Sequence, residues 1–149
     1  MKLARSGELK EHVRFAADPE NQTAGDRLTL TLQDVYQIVG EAQIGRFPDT
    51  VEEARRIKRP AKKNVGVSFG SWDLVQGAYW VTYNEMVQIP EGAVLYLENH
   101  PSLARNGVYQ ATRIVTSWKD ASGTLLMVGA KGVRFFEGSP ISTCLMIRL

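Results

Sequence analysis

The feature that most constrains the fold is a change of hydrophobic period at residue 65. Val65, Val67 and Phe69 alternate with Gly66 and Ser68. Beyond them come short runs rich in β-branched and aromatic residues: 79–83, 93–97, Val108 to Thr116, 124–128, 133–136 and 141–147. Gly, Pro, Asn or Asp separates one run from the next. A side-chain period of two belongs to strands, and turn residues at this spacing break the chain into many short ones. The expectation is a mainly β fold of the sandwich or barrel-like kind, with residues 64–149 as its β core. With 149 residues the chain suits one domain, residues 1–149.

Residues 1–63 differ in character. They hold 12 Lys and Arg against 10 Asp and Glu, whereas residues 64–149 hold 6 against 6. Residues 1–26 are polar and mixed, and read as an arm or short helix ordered against a neighbour. Leu32, Val35, Tyr36 and Val39 recur at helical spacing, with Thr31 placed as N-cap and Gly40 as stop, which predicts a helix over 31–40. A second short helix is expected from Asp49 or Thr50 to about Arg56, with Glu52 and Glu53 early in it. The run Arg55 to Lys63 is strongly basic and broken by Pro60. It reads either as a solvated connector or as an anion-binding strip.

Several classes are set aside. No apolar run reaches the roughly 18 residues that span a bilayer. The first residues lack the apolar core of a signal peptide, so a cytoplasmic protein is expected. A net charge of +2 is too small to point to nucleic acid, which is not the expected partner. There is no phosphate-binding Gly-rich loop and no dinucleotide fingerprint. Two His and one Cys are too few for a His/Cys zinc site, and no resident metal is expected. Cys144 sits in an apolar run and reads as a buried thiol, the alternative being a nucleophile paired with His100.

Three segments carry chemistry in a definite order: Ser71-Trp72-Asp73-Leu74-Val75-Gln76-Gly77, then Pro101-Ser102-Leu103-Ala104-Arg105-Asn106-Gly107, then Glu137-Gly138-Ser139-Pro140 entering the last strand. Ile89-Pro90-Glu91-Gly92 marks a turn between the first two. This layout resembles the dCTP deaminase and dUTP pyrophosphatase (dUTPase) superfamily, closer to the deaminase branch. The resemblance covers roughly residues 28–148. It implies a distorted β barrel of the β-clip type and a homotrimer with sites between subunits. It also implies a deoxypyrimidine nucleoside triphosphate as ligand, with Mg²⁺ carried on the triphosphate.

Carried over residue by residue, the resemblance makes Ser102 and Arg105 phosphate contacts, with Arg105 also assisting deamination. It places Asp73 near the nucleotide or its metal-bound triphosphate, and Gln110 at the head of the family's His-Ala-Thr element. The bland alternatives are a helix N-cap for Ser102 and a turn cap for Asp73. The departures are equally specific. The family's Arg-Ser-Ser reads His100-Pro101-Ser102 here, so His100 stands where an Arg would hold phosphate, or is a strand-end His satisfied by backbone. The dUTPase aspartate falls near Ser117, which is no carboxylate base, leaving Asp120 as the substitute catalytic acid. The deaminase glutamate falls near Val128, in a strand without an acid. Two readings follow: dUTP pyrophosphate hydrolysis or dCTP deamination at a rearranged site, or a noncatalytic trimeric nucleotide-binding or scaffold member of the superfamily.

Overall fold

The computed structural model describes residues 1–149. The chain begins with β1 (Lys2–Leu3), α1 (Ser6–His12), β2 (Val13–Arg14), α2 (Pro19–Gln22), β3 (Thr23–Ala24) and the long β4 (Arg27–Val39). It continues through β5 (Gln43–Ile44), β6 (Val51–Glu52), β7 (Arg55–Arg59), β8 (Ser71–Leu74), β9 (Gly77–Tyr83), β10 (Met86–Val87) and β11 (Ala93–Asn99). Last come α3 (Pro101–Ala104), β12 (Val108–Tyr109), β13 (Arg113–Val115), a 3₁₀ turn (Trp118–Asp120), β14 (Gly123–Val128), β15 (Val133–Phe136) and β16 (Pro140–Arg148). A ten-stranded antiparallel sheet dominates, with the path β12–β14–β9–β4–β16–β11–β13 and with β1, β3 and β7 attached at its sides.

β4 joins the two halves of this sheet. Leu28 and Leu30 lie opposite Cys144 and Ser142 of β16, while Val35 to Gln37 lie opposite Val81 to Tyr79 of β9. The segment 31–40 is therefore strand, not the helix its spacing suggests. Leu28, Leu30 and Leu32 are fully buried at period two, and Val35 is buried next. Between Leu32 and Val35 two residues of β4 oppose the single Thr82 of β9. That bulge shifts the buried face by one residue. A strand carrying a bulge places apolar residues three apart, which imitates a helical turn in sequence. Thr31 caps no helix: its N–H donates to the buried Glu85 carboxylate at 2.7 Å.

The helix expected over 49–56 is also absent. Thr50 instead closes a turn, its hydroxyl donating to the Phe47 carbonyl at 2.7 Å. β7 then pairs along its whole length with β4, Arg55 opposite Val39 and Arg59 opposite Val35. The basic run is thus an exposed edge strand. Charged side chains on such an edge discourage pairing with other chains. Arg56 stacks 4.0 Å from the Trp80 ring centroid and Lys58 lies 3.4 Å from Asp34.

Two further expectations change. Residues 65–69 form turns rather than a strand, because Gly66 takes φ +82° and breaks the alternation. The run Val108 to Thr116 is interrupted after Tyr109, where Gln110 turns inward. Elsewhere the strands match. The N-terminal arm is ordered against the sheet: Leu9 and Val13 join the core, and Lys2–Leu3 pair with the end of β16. Gln22 reaches Glu85 at 2.9 Å, which ties α2 to the same buried carboxylate that holds Thr31.

Candidate functional site

β11 ends at Asn99, and the chain turns at once into the single-turn α3. Pro101 suits the first helical position because its missing N–H needs no partner there. His100 precedes it in extended conformation. Its Nδ1 accepts the Ser102 hydroxyl at 2.6 Å and, more weakly, the Ser102 N–H at 3.3 Å. Asn106 donates from Nδ2 to the Ser102 carbonyl at 2.6 Å, which closes the loop before Gly107 at φ +75°. Burial, and then the nearby Arg105 guanidinium, hold His100 below the usual imidazole range. The ring is neutral near pH 7, with Nδ1 as the accepting nitrogen.

The facing wall comes from the two-stranded β8–β15 sheet. Asp73 and Arg134 are direct cross-strand neighbours. Arg134 donates from Nε to Asp73 Oδ1 at 2.6 Å and from Nη2 to Oδ2 at 3.4 Å. That hydrogen bond holds the Asp73 carboxyl below the ordinary aspartate value. Gly132 leads into β15 at φ +75°, and a Cβ there would lie 2.9 Å from the Leu74 carbonyl oxygen. Only glycine lets the turn approach β8 so closely.

Between the walls lies a cleft of about 520 Å³ lined by Ser102, Asn106, Lys131, Gly132, Arg134 and Ser139 among others. No carboxylate lines it. A neighbouring hollow of about 420 Å³ shares Lys131, Gly132, Val133 and Arg134 and adds Asp73. Hydroxyls, an amide and two cations around one space match the groups that hold an anion. No group of three or more His, Cys, Asp and Glu is gathered anywhere to bind a metal ion.

The expected site residues divide. Ser102 lines the cleft, His100 is hydrogen-bonded to it, and Asp73 meets the cleft through Arg134. Arg105 is exposed at the end of α3 and lines neither hollow. Gln110 is only 3% exposed. Its amide donates to the Asn99 side chain at 3.2 Å and to the Ile141 carbonyl at 2.5 Å. Its oxygen accepts the Ser142 hydroxyl at 2.8 Å and the Tyr83 hydroxyl at 3.3 Å. Asp120 lies on the 3₁₀ turn, away from both hollows, and its backbone carbonyl accepts from Arg113 at 3.2 Å.

Cys144 is fully buried opposite Leu97, and burial pushes its thiol well above the ordinary range, so it is inert. His100 has Ser102, not Cys144, as its partner. Lys131 and Arg134 escaped the sequence reading. Their signal was present: a Lys beside Gly132, then an Arg two residues on in a strand.

A third space, of about 320 Å³, opens beside the β9–β14 ladder. It is lined by Trp80, Tyr109, Gln110, Arg113, Leu125 and Met127 among others, again with no carboxylate. Val128 ends β14, opposite both Val108 and Gly77.

No protein-family model matches the sequence, and no curated protein does. Among solved structures, the 2'-deoxycytidine 5'-triphosphate deaminase of Agrobacterium tumefaciens superposes with a TM-score of 0.67 over 97% of this chain, at 14% identity. The chain spans about half of that structure, 47% of its length. The likeness shows the fold, a mainly β, dUTPase-like one, as the order of the three segments implied.

Proposed function

We propose that this chain binds deoxypyrimidine nucleoside triphosphates, with the polyphosphate in the cleft between α3 and β15. The observation that carries this reading is the meeting of Ser102, Lys131 and Arg134 around one carboxylate-free space. Charge-assisted hydrogen bonds from a guanidinium and an ammonium suit phosphate oxygens. The deoxypyrimidine part of the reading draws on the motif order and on the deaminase whose fold the chain shares. That likeness also favours the deaminase branch of the superfamily. Mg²⁺ belongs to the ligand, travelling on the triphosphate. A homotrimer in the cytoplasm is part of the same proposal.

Carboxylate-driven turnover is disfavoured at two of these spaces. Neither the cleft nor the hollow beside the β9–β14 ladder has a carboxylate to activate water or move a proton at a ring. Turnover through Asp120 has one observation in its support. The Asp120 side chain makes no ion pair or hydrogen bond within the chain, so a second copy is free to use it.

Calorimetry with dUTP, dCTP, UTP and CTP plus Mg²⁺ tests the reading. Lys131→Ala and Arg134→Ala should each weaken binding about 10- to 100-fold, as loss of a charge-assisted hydrogen bond does. Affinity unchanged in both variants overturns the cleft as the phosphate site. The same samples, assayed for pyrophosphate and for ammonia, separate hydrolysis from deamination. Turnover that vanishes in Asp120→Asn would establish the catalytic reading.

A further inference from the structure

A cleft built to hold phosphate but lacking a carboxylate has one other source of chemistry. Ser102 lines it, and the Ser102 hydroxyl donates to His100 Nδ1 at 2.6 Å. That contact is shorter than the 3.3 Å from the Ser102 N–H, so capping the turn is the lesser use of the ring nitrogen. The backbone bond still orients the imidazole, and Pro101 fixes the turn that keeps the two side chains together. A serine hydrogen-bonded to a neutral, oriented imidazole is the arrangement by which a hydroxyl becomes a nucleophile. Lys131 and Arg134 line the same cleft and suit the negative charge that grows on phosphorus oxygens during attack.

We infer that Ser102 is a nucleophile toward phosphorus, with His100 as its general base, acting on the phosphoanhydride of a ligand held by Lys131 and Arg134. The step balances simply. A lone pair on Ser102 Oγ forms the new O–P bond while its proton passes to His100 Nδ1. The bridging P–O bond breaks, and its electron pair leaves with the departing phosphate group. The imidazolium passes its proton to the departing phosphate. Water then attacks the phosphoseryl group and gives a proton to the neutral imidazole, which hands it to Ser102 Oγ as the O–P bond breaks. The choice of ligand rests on the nucleotide reading above; the pairing of nucleophile and base does not.

Ser139 supplies an internal control. It lines the same cleft, but its hydroxyl oxygen accepts the Phe136 N–H at 3.0 Å and has no imidazole beside it. The folded protein is treated with an alkyl fluorophosphonate, which loses fluoride to an activated serine, and the modified peptides are located by mass spectrometry. Ser102 should be labelled at least 10-fold faster than Ser139, with label lost in Ser102→Ala. His100→Gln should slow labelling at least about 100-fold, the lower end of the range for removing a general base. It should also abolish the rise of rate with pH expected of the native protein, a readout that a structural role for His100 would not move. Labelling of Ser102 no faster than Ser139, or unaltered by His100→Gln in a variant that melts normally, overturns the inference. Added dUTP with Mg²⁺ should protect Ser102. Labelling without protection rejects the nucleotide while the nucleophile stands, and protection without selective labelling does the reverse.

Discussion

Gln110 shows how one side chain is assigned by its surroundings. By sequence it sits at the head of a ligand-binding element, yet it is buried and spends its whole amide on four partners. Gln110→Ala would leave the Asn99 side-chain oxygen without its partner, while the Ser142 hydroxyl keeps Tyr83 at 2.6 Å and the Ile141 carbonyl keeps the His100 N–H at 3.1 Å. The expected cost is about 1–3 kcal/mol, read as a lower urea midpoint, since each unsatisfied buried group carries its full desolvation penalty. Nucleotide affinity in the surviving folded fraction should hold. A variant of normal stability that loses binding would return Gln110 to the site.

His100 makes a prediction of definite sign. Burial and Arg105 disfavour its charged form in the folded chain, so its folded pKa lies below the ordinary imidazole value of 6.5. As pH falls through that region, the unfolded chain takes up the proton first, and stability falls with it. Unfolding midpoints of the native protein should therefore drop between about pH 7 and the lower folded pKa, and His100→Gln should flatten that part of the curve. A chemical-denaturation series across this range is the check.

At the scale of elements, pairing decided what spacing left open. The 31–40 segment has helical spacing only because a bulge separates Leu32 from Val35. A bulge exists only against a partner strand, and β9 lies some fifty residues further along the chain. β7 is similar: its run of cations is held as strand by β4, not by its own propensity. The ladder between β9 and β14 is also tightly set. Gly123 lies opposite Thr82, and a Cβ at Gly123 would come 2.6 Å from atoms of the rigid Trp80 ring. Gly123→Ala should destabilise by about 1–3 kcal/mol, as overpacking does, and should shift Trp80 fluorescence as the ring is displaced. Thermal melts and emission spectra, compared with the native protein, are the measurement.

At the scale of the whole molecule, the cleft joins parts distant in sequence: α3 follows β11, while its other wall belongs to β15 and the turn before it. A ligand that bridges them stabilises the fold as a unit. At 100-fold over its dissociation constant, dUTP with Mg²⁺ should add about 2.7 kcal/mol, seen as a rise in Tm of several degrees. At the same dUTP concentration Lys131→Ala should cut that gain to about 0.4–1.4 kcal/mol without lowering the melt of the free protein. A shift preserved in the variant would place the ligand elsewhere.

The main strands of the second half, the buried Cys144 and the order of the three chemical segments were determined by sequence alone. Side-chain period and turn residues are local properties, and the motif order is carried by residue identity. Ser102 was visible for the same reason. Three things were decided only in the tertiary structure. β4 and β7 are strands because distant partners supply their hydrogen bonds. Gln110 is core because four partners enclose it. Lys131 and Arg134 belong with Ser102 because the two-stranded β8–β15 sheet lies against α3, a proximity that no local pattern encodes.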